Sequence, residues 1–462
     1  MSLPRFVYKC DINRRTILNL QAASSEQIAK TYQVDEDSAC RLLGKALSPI
    51  HADMIDVAVA VYMADRISLR PQDQEAGQRQ FELAIPVREL SAWNRRSVSD
   101  SLARYLCYLT EDAWSIEFCQ GQFHPTFSER QQFLNLATDG APVAVSLFSG
   151  GLDSFAGTVA AISENHDKHY VCVSSAPSPR QESLQRRQLS AIRSALAPRT
   201  LTSVRVHSHL NGTDTKREEP TRRARGFLFL SLGTAIAATL DVWRLSVFEN
   251  GIGALNLPYE QFPGGIANSR AVHPHALNLF QKFVSALHEM DFSVDTPCSY
   301  QTKAEMCLHP GMEKLRQNIG ETFSCDGFPV RQAKTSHCGL CTSCILRRLA
   351  LQHAGLADCD SQGYLVDLSS FQPGISPGRL KGLFAMDWQV GRMVRALQAE
   401  SKWDSLMKEF PELRDACLAS MNMKSASESE TQLQLIRLLS KHCSEWNSFP
   451  VRQWLQGRSK AA

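Results

Sequence analysis

The sequence predicts an α/β protein: a parallel sheet covered by helices, preceded by a small α+β block and followed by a helical one. Three observations carry this. Between residues 141 and 362, short apolar or β-branched runs alternate with helical stretches, the texture of βαβ units. Residues 1–140 mix two-residue alternation with helical spacing, and residues 363–462 show helical spacing alone. A glycine pair, Gly150-Gly151, sits where an apolar run ends and a helix begins.

At 462 residues the chain exceeds one typical domain, and 43% apolar with 21% charged residues is the make-up of an ordinary globular protein. Its net charge of +3 is too small to signal a phosphate-tracking surface, which argues against nucleic acid as partner. The start, Met1-Ser2-Leu3-Pro4-Arg5, lacks the basic-then-apolar run of a secretory signal, and no long apolar stretch predicts a membrane span. The expected location is the cytoplasm. In that reducing setting 14 cysteines, scattered apart from one cluster, point to one metal site and to buried thiols elsewhere.

In the first block, Phe81, Leu83, Ile85 and Val87 alternate as in a half-buried strand, and Trp114, Ile116 and Phe118 repeat the pattern. A helix is expected over Ser97–Leu109, and Met54, Val57, Ala58 and Val61 mark another. Asp53, Asp56 and Asp65 are expected on that helix's solvated side. In the second block, strands are expected at Val143–Phe148, Tyr170–Ser174, Val204–His207 and Leu245–Phe248. Helices are expected from Ser154, over Gln181–Leu196 and over Arg225–Leu240. The last block predicts helices at Met386–Leu397, Trp403–Met421 and Thr431–Trp446, with Leu433, Leu435, Ile436 and Leu439 on one apolar face and Lys424–Glu430 as a loop.

A strand, a glycine turn and a helix start make an anion site. The first-turn amides have no partners within the helix, and its dipole favours negative charge there. In Phe148-Ser149-Gly150-Gly151-Leu152-Asp153-Ser154 the glycines allow a sharp turn and a close approach to phosphate, and both serines offer hydroxyls. Asp153 would repel phosphate, so it holds Mg2+ or anchors the loop. The segment lacks the lysine of a Walker loop and the third glycine of a dinucleotide turn.

Cys325, Cys338, Cys341 and Cys344 stand in the pattern C-x12-C-x2-C-x2-C, four thiolates at the reach of a closed tetrahedral Zn2+ site. An iron-sulfur cluster uses the same ligands, and a redox C-x-x-C is the other reading. His337 is expected beside the site rather than in it. Arg347 and Arg348 are expected to cap a helix that begins inside the motif.

The SGGLDS turn resembles the pyrophosphate loop of the PP-loop ATP-pyrophosphatases, whose fold is a Rossmann-like sheet of the adenine nucleotide alpha hydrolase kind. With the cysteine motif, it resembles the QueC family over about residues 141–360. "TRRARGFLFLSLGTAIAA" (Thr221–Ala238), "FENGIGALNLP" (Phe248–Pro258) and "TPCSYQTKAEM" (Thr296–Met306) support the likeness. The resemblance implies ATP and Mg2+ at the loop, Arg225 on the triphosphate, and Lys303 with Glu305 as the lysine-and-acid element. Asp153, Ser154 and Lys303 are the expected catalytic residues. Glu249, Asn250, Arg270 and His273 are expected to face a deazaguanine-type substrate, with His273 an acid/base group.

The departures from the family are equally informative. Glu249-Asn250-Gly251 and Ser269–Pro274 replace the family's Tyr-Pro-Asp-Cys run, and the flanking blocks are additions to a compact enzyme. Enlarged proteins of this type resemble those of bacterial anti-phage defence, such as QatC and its relatives in type IV CBASS. That resemblance implies transfer of an activated 7-carboxy-7-deazaguanine to an amine on a partner protein, its N-terminal glycine. The family's own chemistry yields 7-cyano-7-deazaguanine. Two other readings stand beside these: a PP-loop enzyme of tRNA, weakened because Glu218 and Glu219 interrupt the basic run Lys216-Arg217 and Arg222-Arg223-Arg225, and a scaffold that binds nucleotide without catalysis.

Overall fold

The computed structural model describes residues 4–13, 17–22, 28–35, 45–70, 78–121, 140–175, 178–211, 218–258, 270–327, 337–361, 363–366, 368 and 380–452. Lys216, Arg217 and Ser269 lie outside them. A five-stranded sheet forms the centre, in the order β11-β10-β6-β7-β8. Its strands are β6 (Val143–Leu147), β7 (His169–Ser174), β8 (Thr200–Arg205), β10 (Arg244–Ser246) and β11 (Ser293–Asp295). Every pairing in it is parallel, as the alternation of strands and helices predicts. The chain leaves β6 toward β7 and β8, then returns to β10 on the other side. The sheet's switch point therefore falls between β6 and β10, where a parallel sheet opens a crevice at its carboxyl ends.

One face of the sheet carries α4 (Leu152–Glu164) and α5 (Pro179–Leu196); the other carries α6 (Arg225–Thr239) and α8 (Pro274–His288). Against α6 and α8 lie α1 (Pro49–Ile67) and α3 (Arg96–Thr110) of the N-terminal block. Tyr105, Phe227, Phe280 and Phe283 form one aromatic cluster across this seam. The N-terminal sheet has six strands. Besides β4 (Gln80–Val87) and β5 (Ala113–Gln120) it contains β1 (Arg5–Asn13), β2 (Ile17–Ala22) and β3 (Ile28–Asp35), for which no alternation was legible. Its sixth strand, β9 (His207–Asn211), comes from beyond residue 140 and pairs with β3. The single strand expected at Val204–His207 is thus two: the chain leaves the central sheet at Arg205 and enters the other at His207.

The acidic residues of α1 correct the sequence reading. Asp53, Asp56 and Asp65 are buried, because this helix is covered on nearly all sides. Asp53 accepts the backbone N–H groups of Arg88 at 2.8 Å and Glu89 at 2.9 Å, and Arg88 Nη1 bridges it to Asp56. Asp65 and Asp112 share the fully buried Arg79. Asp65 Oδ2 also accepts the N–H of Ala224 at 2.9 Å, which fixes the start of α6 to the N-terminal block.

The last block is helical: α11 (Lys381–Leu397), α12 (Lys402–Glu409), α13 (Leu413–Lys424) and α14 (Glu428–Asn447). The expected helix Trp403–Met421 is broken before Leu413, where Pro411 supplies no N–H. Ser427 caps α14 through a capping box with Glu430. Leu433 is 66% exposed, so the buried face runs instead through Leu435, Leu438, Leu439 and Trp446. No helix among the described residues is long and apolar enough to cross a membrane.

Replacing Arg79 with Met takes from the buried Asp65 its closest cation, at 2.5 Å, and leaves Asp112 to Arg70 alone, at 2.8 Å. The expected loss is about 3–5 kcal/mol in the unfolding transition of the N-terminal block, read by urea denaturation.

Candidate active site and metal centre

The glycine turn follows β6 directly. Gly150 has φ +84°, the left-handed region where a side chain is strained, and a Cβ there would stand 2.7 Å from the Phe323 ring. The loop is held by its own serines and by its neighbours. Gly150 N donates to Ser154 Oγ at 3.2 Å and Gly151 N to Ser149 Oγ at 3.1 Å. Gln185 Nε2 donates to the carbonyl of Ser149 at 2.8 Å, and Gln188 Nε2 to that of Gly150 at 3.0 Å. Phe323 N also donates to the Gly150 carbonyl, at 3.1 Å. Gln185, Gln188 and Phe323 escaped the sequence reading. Two glutamines three apart on one face of a helix were the only signal for the first pair.

Leu152 and Asp153 open α4, and Asp153 is 7% exposed. Lys303, at the start of α9 (Lys303–Cys307), places Nζ 2.9 Å from both carboxylate oxygens of Asp153, with good hydrogen-bond geometry only to Oδ2. Asn250 Nδ2 donates to Asp153 Oδ2 at 2.9 Å and to Glu249 Oε1 at 3.1 Å. Burial alone would raise the Asp153 pKa. The Lys303 ammonium, with hydrogen bonds from Glu249, Lys303 and Asn250, brings it below the usual aspartate value. Burial and the Asp153 charge push Glu249 well above the ordinary glutamate value, against the pull of Lys303. A proton on Glu249 supplies the donor that Asp153 Oδ1 otherwise lacks. Burial lowers Lys303, but the charges of Asp153 and Glu249 more than offset it, so it stays an ammonium. Asp153 thus has the anchoring arrangement, its oxygens engaged by protein donors.

A cavity of about 200 Å³ opens at the switch point beside this cluster. Phe148, Ser149 and Ser154 line it after β6, Glu249 after β10, Arg225 from the start of α6, and Phe323 from the metal lobe. The structure thereby brings together the glycine loop, Arg225, Glu249, Asn250 and Lys303. Two expected substrate residues stand apart. Arg270 pairs with Glu111 at 2.7 Å and stacks over the Tyr108 ring. His273 caps α8 and shares its Nδ1 with the Tyr108 hydroxyl at 2.9 Å. Burial and the nearby His275 and Arg270 lower His273 to about 3, so it is neutral at working pH. Both residues fasten α8 to the N-terminal block. Arg223, just before α6, pairs with Glu111 as well.

The sulfurs of Cys325, Cys338, Cys341 and Cys344 all lie within 4.8 Å of one another, and Cys338 Sγ is 3.9 Å from Cys344 Sγ. Zinc–sulfur bonds of about 2.3 Å imply a tetrahedron edge of about 3.8 Å, so the four thiols fit Zn2+. The N–H of Cys341 points to Cys338 Sγ at 3.3 Å, and that of Cys338 to Cys325 Sγ at 3.4 Å. His337 is a neighbour, its Nε2 accepting the N–H of Ser324 at 3.2 Å. Arg347 is no cap. It is fully buried in α10 (Thr342–His353), where it binds Asp360 at 2.8 Å and Thr322 Oγ1 at 2.6 Å. Arg348 lies over the Tyr364 ring and donates to the carbonyl of Val366.

The family model for the queuosine biosynthesis protein QueC matches residues 143–355. A relative named 7-cyano-7-deazaguanine synthase, from Frankia casuarinae, is 30% identical over 240 residues, 48% of this chain and 94% of that protein. The chain belongs to the QueC family. A protein of the same name from Hydrogenovibrio crunogenus is 27% identical over 231 residues, 46% of this chain and 93% of its own length. One from Psychrobacter cryohalolentis is 31% identical over 135 residues, 29% and 48% respectively. Membership in QueC supports an enzyme of deazaguanine chemistry that uses ATP. The matched span contains the whole loop, Lys303 and the four cysteines, and leaves out both flanking blocks.

Two outcomes follow. A raised carboxyl favours the fold fully below its unfolded pKa and loses that contribution as pH rises through the folded value. Glu249→Gln, which mimics the protonated acid, is therefore expected to gain in melting temperature over the native protein as pH goes from about 5 to about 9. Metal analysis is expected to find about one zinc per chain, and chelation to open residues 322–327 and 337–344 to protease, read by mass spectrometry of the fragments.

Proposed function

We propose that the chain activates a 7-carboxy-7-deazaguanine-type carboxylate with ATP and passes it to an amine. The observation that carries this reading is the meeting, at one switch-point cavity, of an anion-ready helix start with Arg225, Lys303 and the protonated Glu249. A substrate carboxylate oxygen attacks the α-phosphorus, the bond to the β-phosphate oxygen breaks, and pyrophosphate leaves. The first-turn amides of Leu152, Asp153 and Ser154 and the Arg225 guanidinium are assigned to the charge that develops on the leaving group. The chemistry that Mg2+ carried on the ATP phosphates would supply is further positive charge at that point. Lys303, aimed by Asp153, contacts the phosphate or the carboxylate, while Glu249 and Asn250, their donors taken up by Asp153 and by each other, hold that cluster beside the substrate. An amine nitrogen then attacks the acyl carbon, AMP leaves, and the nitrogen gives up a proton.

The acceptor we assign is the N-terminal glycine of a partner protein, in a bacterial anti-phage system. What favours it over ammonia is the large folded addition on both sides of a core that other family members use alone. The Glu249-Asn250-Gly251 segment also departs from the family run. The chemistry separates the two outcomes, because an amide joined to a polypeptide has a single N–H and cannot lose water to give a nitrile. Ammonia would give a primary amide, which can.

Incubation with ATP, 7-carboxy-7-deazaguanine and either ammonium or copurifying polypeptides is expected to release AMP and pyrophosphate. Asp153→Ala should reduce that release by about 100-fold or more. Mass spectrometry of the polypeptides reads the acceptor: a modified N-terminus supports the defence reading, and a free nitrile replaces it with 7-cyano-7-deazaguanine synthesis. Pyrophosphate release undiminished in Asp153→Ala would remove the loop from the mechanism.

A further inference from the structure

Helix α14 lies outside the span matched by the QueC model, yet it reaches the Asp153 cluster along two segments. Lys303 opens α9, and a capping box sets the direction of that helix. Thr302 Oγ1 accepts the N–H of Glu305 at 3.2 Å, and Glu305 Oε2 accepts the N–H of Thr302 at 2.9 Å. Both members of the box are held by α14. Thr302 Oγ1 donates to Glu445 Oε1 at 2.6 Å, and Glu445 is 2% exposed. Arg437 pairs with the Glu305 carboxylate and donates to the carbonyl of Tyr300 at 2.9 Å.

The second segment is the one bearing Asn250. A Cβ on Gly251 would stand 2.4 Å from Leu438 Cδ2 and 2.3 Å from the Ser299 carbonyl oxygen. Gly251 N donates to the carbonyl of Gln301 at 2.8 Å. Leu438 thus packs where the Asn250 segment and the Lys303 segment meet. These are the two segments whose side chains hold the Asp153 carboxylate.

We infer that Glu445 and Arg437 are positioning residues for the reaction, acting through the Thr302–Glu305 capping box to aim Lys303 at Asp153. The inference rests on the reading of Lys303 as a site residue, and it makes the C-terminal block part of the active site rather than an appendage. The groups facing Glu445 are Thr302, Glu305 and Cys307 from the α9 segment and Lys441 from its own helix. Burial lifts Glu445 to about 7; the Thr302 bond and Lys441 pull it down, and Glu305 pushes it further up. Above that pH the ionised carboxylate gives Thr302 a charge-assisted bond, and below it a weaker neutral one. The grip on the α9 start therefore changes across neutrality, a signature that inert packing does not produce.

The test uses the full chain with Thr302→Val, Glu445→Gln, Arg437→Ala, Arg437→Lys and Lys303→Met, each checked for a cooperative melt. Competitive acetylation with acetic anhydride, read by mass spectrometry, reports how well Asp153 shields Lys303 without calling on activity. Thr302→Val and Arg437→Ala are expected to label Lys303 about five-fold faster, with partial protection restored in Arg437→Lys. In pyrophosphate release from ATP and 7-carboxy-7-deazaguanine, they are expected to lose about ten-fold in kcat, with KM for ATP within about two-fold. The inflection expected near pH 7 in the native profile should vanish in Glu445→Gln. Native labelling in Arg437→Ala, with a native pH profile in Glu445→Gln, overturns the inference. Pyrophosphate release that survives Lys303→Met, with Lys303 labelling still sensitive to Arg437→Ala, overturns the reading of Lys303 in the chemistry and leaves the mechanical link from α14 intact.

Discussion

The buried pair of Asp153 and Lys303 is the constraint around which the protein is arranged. A carboxylate at the first turn of a helix, removed from water, is costly unless a cation and further donors meet it. Meeting it requires the loop after β6, the loop after β10 and the start of α9 to converge on one point. Glu249 enters the same cluster, where burial and then the neighbouring negative charge raise its pKa well above the ordinary glutamate value. The cluster therefore combines an ammonium, a carboxylate and a protonated acid within reach of a cavity, at a place where a parallel sheet already opens.

The segments on either side of the central sheet act as a frame for that point. Arg347 in the metal lobe binds Thr322, and the next residue, Phe323, presses on Gly150 through its amide and its ring. The N-terminal block reaches α6 through Asp65, whose partner Ala224 immediately precedes Arg225. The C-terminal block reaches α9 through Glu445 and Arg437. In each case a buried or half-buried charged side chain ends on backbone or a capping residue next to a site residue. Such contacts transmit position well because ionic and hydrogen-bonded partners have few alternative geometries in a packed interior.

The same frame accounts for residues whose expected roles changed. Arg270, His273 and Arg223 sit near the cavity in sequence, yet their side chains turn outward to Tyr108 of α3 and to Glu111 just after it. A motif read along the chain places a residue near a site but not the direction of its side chain. Here the N-terminal block offered closer partners, so the basic and imidazole groups became seams between layers.

Much of the fold and the centre of the site were legible from local pattern. Alternating apolar strands and helices specified a parallel sheet, SGGLDS specified a glycine turn into a helix start, and four cysteines at fixed spacing specified a cluster of four thiols able to hold a metal, because each depends on the chemistry of a few neighbouring residues. The tertiary structure alone decided the rest: the burial of Asp53, Asp56 and Asp65, the departure of β9 to the other sheet, the grip of Gln185, Gln188 and Phe323 on the loop, and the reach of α14 to Lys303. These are contacts between residues tens to hundreds of positions apart. Their partners are chosen by packing, and a charged or apolar residue looks the same in a sequence whether water or a distant helix will cover it.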